Sequence, residues 1–380
     1  MSPTPVTYAS PTAPASYSWE ATDEEVAARY GVPIEDIVRF DLNTSPTPPA
    51  LVGPILAAGR FETPISEYAP SDYRRLVAAA ATRYAVGTDE ILVGAGADEV
   101  LDIIAKAYLP AGGTAVVPTP TYAMYRVLTE QRGATVIPVP RLPAEAGHAI
   151  DVDATRAAAR DAQVVWLCSP NNPTGLAEPD GAIQTLLAGI AIDAASVGRE
   201  APLVVVDEAY FEFVGRSVVD MRAAHPNLLV IRTASKAYGL AGLRVGFAIA
   251  RPEVIARMNP YRPPGSVSTV SATIVTEALL DPEAPTANLE RVRVERARLR
   301  GALSGLGWSV GPSVTNFLLV DLGSPERAAA VAEGLLQRGL VPRTFPAGHP
   351  LAGHLRLTVR DAAENDRLIE AARAIGEDAT

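Results

Sequence analysis

Lysine is almost absent from this 380-residue chain, which makes its two lysines candidates for specific chemistry. Of 33 basic residues only Lys106 and Lys236 are lysines, and arginine fills the other positions. An amine can condense with a carbonyl compound, whereas a guanidinium cannot serve this purpose. Lys236 follows an apolar run and is surrounded by small residues, so a flat ligand can approach it closely. Composition alone leaves open that both lysines are accidental; Lys106, in an apolar helical segment, is interpreted as structural.

Groups suited to an anion lie near Lys236 and in a second segment. Ser235 and Arg244 offer a hydroxyl and a guanidinium that suit a dianionic phosphate. Residues 94–99, Gly-Ala-Gly-Ala-Asp-Glu, follow a predicted strand and open a helix, so their free backbone N–H groups form a natural phosphate site. A plain turn capped by Asp98 is the alternative. A dinucleotide motif is excluded because Glu99 stands where that motif needs a small residue.

Two further strand ends carry polar side chains. Asp207 ends a buried run, where a carboxylate needs a cationic partner such as a pyridinium nitrogen. Tyr210, three residues later, can reach the same site; an exposed aspartate capping the next helix is the alternative. Residues 169–175, Ser-Pro-Asn-Asn-Pro-Thr-Gly, form a loop stiffened by two prolines, in which Asn172 can donate to a ligand oxygen. A simple Asn-Pro turn is the alternative there.

Arginines near the carboxyl end can bind a substrate anion. Arg356 lies between Leu355 and Leu357 in a predicted strand, so its side chain points to the opposite face from theirs. A fixed guanidinium there can clamp a carboxylate with two hydrogen bonds. An exposed edge-strand arginine is the alternative. Arg343 is a weaker candidate that serves a second anion or none.

Alternating apolar strands and helices must position these groups. The predicted strands are Ala115–Pro118, Thr135–Val139, Val164–Cys168, Leu203–Asp207, Leu228–Arg232 and Val245–Ala250. The predicted helices between them include Asp98–Tyr108, Tyr122–Arg132, Ala154–Asp161 and Ala182–Val197. This alternation predicts an α/β fold with a doubly wound, mostly parallel sheet, whose ligands bind at the carboxyl ends of the strands. After about Pro282 the pattern becomes α+β and indicates a smaller second domain.

The expected division is an N-terminal arm and first helix over residues 1–42, partly mobile, a large ligand-binding domain over 43–265 and a small domain over 266–380. A net charge of −10 argues against nucleic acid or anionic membranes as partners. The single cysteine, Cys168, fits a reducing cytoplasm, and the four scattered histidines predict no metal site. The first twenty residues have no basic residue or apolar core and are typical of an arm, not of a signal peptide.

Taken together, these segments resemble the fold-type-I, aspartate-aminotransferase-like enzymes that use pyridoxal 5'-phosphate (PLP), most closely the histidinol-phosphate aminotransferase group. The strings, in chain order, are GAGADE, PTPTYAMY, SPNNPTG, VVDEAYFEF, SKAYGLAGLR and LRLTV. The similarity runs from about Asn43 to the last helix. It implies a seven-stranded, mostly parallel sheet, a smaller α+β C-terminal domain and PLP as cofactor.

The resemblance also implies roles for individual residues. Lys236 is expected to form the Schiff base and then act as general base, with Asp207 paired to the ring nitrogen and Tyr122 stacked on the ring. Phosphate contacts are expected from Ala97, Asp98, Ser235 and Arg244, contacts to the phenolic oxygen from Asn172 and Tyr210, and substrate contacts from Arg356, Arg343, Asn43 and Tyr68. Tyr68 matches a tyrosine that reaches into the neighbouring subunit, which implies a homodimer with shared active sites.

The expected reaction is amino transfer from histidinol phosphate to 2-oxoglutarate, a step of histidine biosynthesis. Gly265 and Ser266 stand where the group usually carries Tyr and Asn, and Asn43-Thr44-Ser45-Pro46 replaces an Asn-Glu-Asn-Pro-like string. These departures leave open an aromatic or specialised-pathway aminotransferase, or a phosphothreonine decarboxylase. A transcriptional regulator built on the same fold is the non-enzyme alternative. It is disfavoured because the 42 residues before Asn43 are acidic on balance and carry no basic patch.

Overall fold

Helices and strands alternate through residues 15–377, the part of the chain that the computed structural model describes. The helices are α1 Asp23–Tyr30, α2 Val52–Ala58, α3 Arg74–Tyr84, α4 Gly96–Tyr108, α5 Met124–Gln131, α6 Val152–Ala158, α7 Ala182–Ser196, α8 Pro252–Met258, α9 Thr269–Leu280, α10 Thr286–Gly305, α11 Pro325–Leu336 and α12 Ala362–Glu377. The strands are β1 Val38–Arg39, β2 Ile91–Gly94, β3 Thr114–Thr119, β4 Thr135–Pro140, β5 Val164–Cys168, β6 Leu203–Asp207, β7 Leu228–Thr233, β8 Gly246–Ala250, β9 Ser309–Val310, β10 Phe317–Asp321, β11 Leu340–Val341 and β12 His354–Thr358.

Seven strands form the central sheet, in the order β2-β8-β7-β6-β5-β3-β4. Strand β8 runs antiparallel to the other six strands, which are parallel to one another. Residues of α3, α7 and α9 pack on one face, and residues of α4, α5 and α8 on the other. Strands β5 to β8 are buried along their whole length, as strands covered on both faces must be. The predicted doubly wound, mostly parallel seven-stranded sheet is confirmed.

The predicted elements agree closely with the observed ones. Strands β5 and β6 have the predicted bounds. The helix predicted over Ala154–Asp161 begins earlier, at Val152, because the Asp151 side chain accepts a hydrogen bond from the Ala154 N–H and caps the helix. The arm predicted over the first twenty residues lies partly outside the described residues and is described only from Ala15 onward. No helix within residues 15–377 is long and apolar enough to cross a membrane.

A second, smaller unit contains the antiparallel sheet β12-β10-β9 and the parallel pair β1-β11. Its core joins residues of α10, α11 and α12 to Val38 and Phe40, which come from the N-terminal segment. Helix α9 packs on α3 in the core of the large sheet instead. We therefore propose to correct the division predicted at residue 265. The large unit extends through α9, and residues near Val38 belong to the small unit.

The topology brings separate segments to one edge of the large sheet. Parallel strands end at a common edge, so β2, β5, β6 and β7 present Gly94, Cys168, Asp207 and Thr233 there. Because β8 runs the opposite way, it begins at this edge with Gly246. The segment between β7 and β8 therefore crosses the edge and carries the lysine with it.

Gly246 is the point of closest approach between β8 and α4. A Cβ atom there would lie 2.5 Å from the Gly96 carbonyl carbon and 2.6 Å from the Ala97 nitrogen, and backbone atoms cannot rotate away. We expect Gly246→Ala to lower the free energy of unfolding by about 1–3 kcal/mol through overpacking, measured by urea unfolding. Gly242→Ala is the matched control, since nothing lies within 4 Å of its Cβ position. Equal unfolding midpoints for the two variants would contradict this packing account.

Candidate active site

A cavity of about 620 Å³ opens at this edge of the sheet. Eleven of the residues predicted from the sequence line it: Asn43, Ala97, Asp98, Tyr122, Asn172, Asp207, Tyr210, Ser235, Lys236, Arg244 and Arg356. They come from both units and from segments more than three hundred residues apart along the chain. The structure thus brings together nearly all of the predicted site in one place. Two predicted residues, Tyr68 and Arg343, do not line the cavity.

Lys236 lies three residues beyond the end of β7, partly buried in the cavity wall. Its Nζ donates to the Leu42 carbonyl at 3.3 Å and lies 5.9 Å from the centre of the Tyr210 ring. Burial, followed by the nearby charge of Arg356, lowers the pKa of Lys236 to about 8. A useful fraction of neutral, nucleophilic amine is therefore present near neutral pH. Lys106 forms an ion pair with Asp102 on the same helix, which agrees with a structural role.

Asp207 is a buried carboxylate, 4% exposed, at the end of β6. Its Oδ1 accepts from the Ala209 N–H at 3.0 Å, and its Oδ2 accepts from the Tyr125 hydroxyl at 2.9 Å. Within residues 15–377 no cationic side chain forms an ion pair with it. Burial raises the pKa of Asp207 to about 6. A cationic nitrogen placed in the cavity would satisfy this carboxylate.

An anion site is built where α4 begins. Gly96 has a φ of +85°, and a Cβ there would lie 2.4 Å from the Arg244 Nη2, so this guanidinium closes directly over the helix start. The Asp98 carboxylate accepts from the Tyr122 hydroxyl at 2.9 Å and pairs with Arg244 at 3.3 Å. That carboxylate would repel an anion. The free backbone N–H groups of the first turn, together with Ser235 and Arg244, are the groups suited to bind phosphate.

Arg356 reaches the cavity from β12 of the small unit. Its Nη1 donates to Asn172 Oδ1 at 2.6 Å and its Nη2 donates to the Asp41 carbonyl. Its Nε has no hydrogen-bond partner among the described residues, although the side chain is buried. Burial also lowers the pKa of this guanidinium. A buried donor without a partner favours an anionic ligand.

Tyr210 and Asn43 line the cavity beside the small unit, where the Asn43 N–H donates to the Thr358 hydroxyl of β12 at 2.9 Å. The Asn43 Nδ2 donates to the Tyr210 hydroxyl at 2.9 Å, and the ring packs edge-on against Phe317. Burial raises the pKa of Tyr210, so its phenol keeps its proton. Tyr210 can therefore donate a hydrogen bond to a ligand oxygen.

Residues of the N-terminal segment bind the Arg343 guanidinium, a contact that was not predicted from the sequence. The Arg343 Nη1 donates to the Ser18 carbonyl at 2.7 Å and lies 3.5 Å from Glu20 Oε1. Tyr17 and Trp19 of the same segment line the cavity. The predicted substrate contact of Arg343 stays a prediction, and it requires that this segment release the guanidinium.

Tyr68 is 89% exposed and lies beside Gly265 of the same chain. Such exposure is what a side chain destined for another subunit would show in a single chain. The predicted role of Tyr68 in a neighbouring site stays a prediction.

Three further residues at the site were not predicted from the sequence. Cys168 and Thr233 line it, and Tyr125 holds Asp207 from the far side. The signal for Tyr125 was its position three residues after Tyr122, a spacing that puts both residues on one face of the helix predicted over Tyr122–Arg132.

These groups fit PLP. The carboxylate lacks a cation, the lysine amine is easily deprotonated, and the helix start suits a phosphate. The ring of Tyr122 lines the same cavity and offers an apolar face to an aromatic ring. Within residues 15–377 no cluster of side chains could hold a metal ion.

Comparison with known proteins assigns the chain to a family. The profile described as aminotransferase class I and II matches residues 56–371. The chain belongs to this family. The histidinol-phosphate aminotransferase of Symbiobacterium thermophilum is 37% identical over 360 residues, which cover 93% of this chain and 94% of that protein. The enzyme of the same name from Roseiflexus castenholzii is 34% identical over 366 residues, 93% of each chain.

Solved structures of related proteins share the fold of this aminotransferase-family chain. The histidinol-phosphate aminotransferase of Sinorhizobium meliloti in complex with pyridoxal-5'-phosphate superposes with a TM-score of 0.83 and 24% identity, over 96% of each chain. The aspartate aminotransferase of Thermus thermophilus with maleate gives 0.76 and 24%, over 93% of this chain and 96% of that one. The resemblance inferred from the sequence motifs is thereby confirmed.

The raised pKa of Asp207 predicts a stability cost in the cofactor-free protein. The folded state holds this proton more tightly than the unfolded chain, so ionising Asp207 lowers the free energy of unfolding as the pH rises from about 4 to about 6. We expect cofactor-free Asp207→Asn to be more stable than the unmodified protein by about 2–3 kcal/mol at pH 7 and equally stable near pH 3.5. Urea unfolding at the two pH values measures this. A less stable variant at pH 7 would show that the carboxylate already has a cationic partner.

Proposed function

We propose that this chain is a PLP-dependent aminotransferase that moves the amino group of histidinol phosphate to 2-oxoglutarate. The observation that carries the proposal is one cavity that holds a lysine of lowered pKa and a buried carboxylate lacking a cation. Family membership and the names of the relatives support the reaction and the donor.

When bound, PLP supplies an electrophilic carbon and a protonated ring that accepts electrons from the substrate's α-carbon. Lys236 holds the cofactor covalently through Nζ. When it is not bonded to the cofactor, the Lys236 amine would be the base that takes the proton from the substrate's α-carbon, since its lowered pKa leaves part of it neutral. Asp207 keeps the ring nitrogen protonated, and Tyr122 packs against the ring.

The hydrogen-bond donors around the cavity orient the ring. Tyr210 keeps its proton and, with Asn172, donates to the phenolic oxygen of the cofactor. Ala97 and Asp98, through their backbone N–H groups, and the Ser235 and Arg244 side chains bind its phosphate.

Arg356 positions the substrates. Its guanidinium, already oriented by Asn172 and the Asp41 carbonyl, binds the phosphate of the donor in one half-reaction and a carboxylate of 2-oxoglutarate in the other. Asn43 contacts the substrate through its side-chain amide, which also donates to the Tyr210 hydroxyl. Arg343 joins a second anionic group only after Glu20 and the Ser18 carbonyl release it.

We further propose a homodimer in which Tyr68 reaches the partner's cavity. Its exposure, and that of Ile65 at 72% on the same loop, support an interface there. A cytoplasmic location is proposed because Cys168, the one cysteine of the chain, is a buried free thiol.

Steady-state assays with 2-oxoglutarate test the reaction, with glutamate as the measured product. We expect glutamate from histidinol phosphate, its loss in Lys236→Ala and its retention in Lys106→Ala, the control. Phenylalanine tests the aromatic alternative as donor. Release of CO₂ from phosphothreonine without glutamate formation would overturn the proposal in favour of a decarboxylase.

Arg356→Gln tests the positioning role. We expect KM for 2-oxoglutarate to rise by about 100-fold, because a buried charge-assisted contact is lost, while the fold persists. Arg126→Gln is the matched control, since its side chain is 71% exposed on α5. An unchanged KM in Arg356→Gln would remove this residue from the substrate site.

A further inference from the structure

The back of the cavity contains a contact between two buried side chains, Tyr125 and Asp207. The Tyr125 side chain is fully buried, and its hydroxyl lies 2.9 Å from Asp207 Oδ2. Helix α5 supplies the tyrosine and β6 the carboxylate, 82 residues apart in the chain. Tyr125 does not line the cavity, so it acts on a ligand there only through Asp207.

The ring of Tyr125 is fixed by its surroundings. It stacks on Trp166 with 5.6 Å between ring centres and an interplanar angle of 6°, and Tyr122 meets it edge-on at 5.7 Å. The Thr129 hydroxyl donates to the Tyr125 carbonyl at 2.7 Å and accepts from the Trp166 indole N–H at 3.2 Å. These contacts hold the phenol in place, so its orientation toward Asp207 is built into the core.

The direction of the hydrogen bond follows from the chemistry of the two groups. Burial, and then the Asp207 charge, raise the pKa of Tyr125 well above its usual value, so the phenol stays protonated and donates. The second oxygen of Asp207 accepts from the Ala209 N–H. Each donor favours the ionised carboxylate, and together they fix its plane. Free lone pairs remain on both oxygens for a third donor from the cavity side.

We propose that Tyr125 is a positioning residue for amino transfer, whose phenol keeps Asp207 ionised and fixed in orientation for the ring nitrogen of the cofactor. The inference rests on the proposed function for the identity of that cation. It adds a residue that touches neither cofactor nor substrate.

Several titratable groups around Asp207 also affect its ionisation. They are Tyr125 on α5, Cys168 at the end of β5, Asp98 on α4, Lys236 after β7 and Tyr210 after β6. Burial raises the pKa of the Cys168 thiol to about 12, so it is neutral. Asp98 opposes ionisation of Asp207 and Lys236 favours it, while burial itself opposes it most. Among the groups that favour ionisation of Asp207, the Tyr125 hydroxyl contributes most, through its hydrogen bond.

Tyr125→Phe tests the proposal in the cofactor-free protein, where catalysis plays no part. The phenylalanine ring keeps the stacking on Trp166 and loses only the donor. We expect the acid dissociation constant of Asp207 to fall by about tenfold or more, so that its titration moves to higher pH. The carboxyl ¹³C chemical shift of Asp207, followed against pH, measures this. Tyr84→Phe is the matched control, because it removes a buried phenol whose hydroxyl has no hydrogen-bond partner among the described residues. It should leave the titration of Asp207 unchanged.

Binding and kinetics of the loaded enzyme give a second readout. We expect the Kd for PLP to rise about tenfold in Tyr125→Phe, and the acid limb of kcat/KM to move up by about one pH unit. A purely structural role would lower the unfolding midpoint without moving either pH profile. Fluorotyrosine at position 125 is a stronger donor of nearly the same shape and should move the titration of Asp207 to lower pH. This variant also tests the proposal if Tyr125→Phe does not fold.

The outcomes separate this inference from the proposed function. An unchanged titration of Asp207 in both Tyr125 variants would overturn the inference, whatever the enzyme does. Failure of the unmodified protein to bind PLP would overturn the proposed function, while the titration would still decide whether Tyr125 controls Asp207.

Discussion

A buried carboxylate without a cation is the constraint around which this molecule is arranged. Asp207 ends a strand in the middle of a sheet covered on both faces, where solvent cannot stabilise its charge. The cost of ionising it is reduced by two hydrogen bonds, from Tyr125 and the Ala209 N–H, but not removed. A fold that keeps such a group must gain from it elsewhere. A cationic ring nitrogen bound in the cavity would stabilise the ionised carboxylate. The free energy that ionised Asp207 costs the cofactor-free protein would then contribute to cofactor affinity, and the carboxylate would keep the ring protonated so that it withdraws electrons.

The sheet topology explains how the other groups reach this carboxylate. Because β8 runs against its neighbours, the segment from β7 to β8 crosses the edge where β2, β5 and β6 end, and it carries Ser235, Lys236 and Arg244 to one place. The small unit adds Arg356 from β12, held by the Asp41 carbonyl of the N-terminal segment. The cavity is therefore shared between two cores, and groups for cofactor and substrate come from different units.

Much of this was predictable from the sequence because it depends on local patterns. Apolar runs predicted the buried strands, and polar residues at strand ends predicted Asp207 and Asn172 with their neighbours. The rarity of lysine singled out Lys236. Contacts between distant segments were not predictable. The bond between Tyr125 and Asp207, the pairing of Glu20 with Arg343, and the packing of α9 on α3 depend on tertiary packing that no local pattern records. The shift of the domain boundary that we propose rests on the same kind of contact, the packing of α9 on α3.

We propose that Lys236 and Asp207 form one PLP site, and chemical trapping tests this most directly. The purified protein is loaded with PLP, reduced with borohydride, digested and analysed by mass spectrometry. We expect one pyridoxyl group per chain, on Lys236 Nζ, and much weaker loading of Asp207→Asn under the same conditions. A label on Lys106, or equal loading of the two proteins, would contradict it.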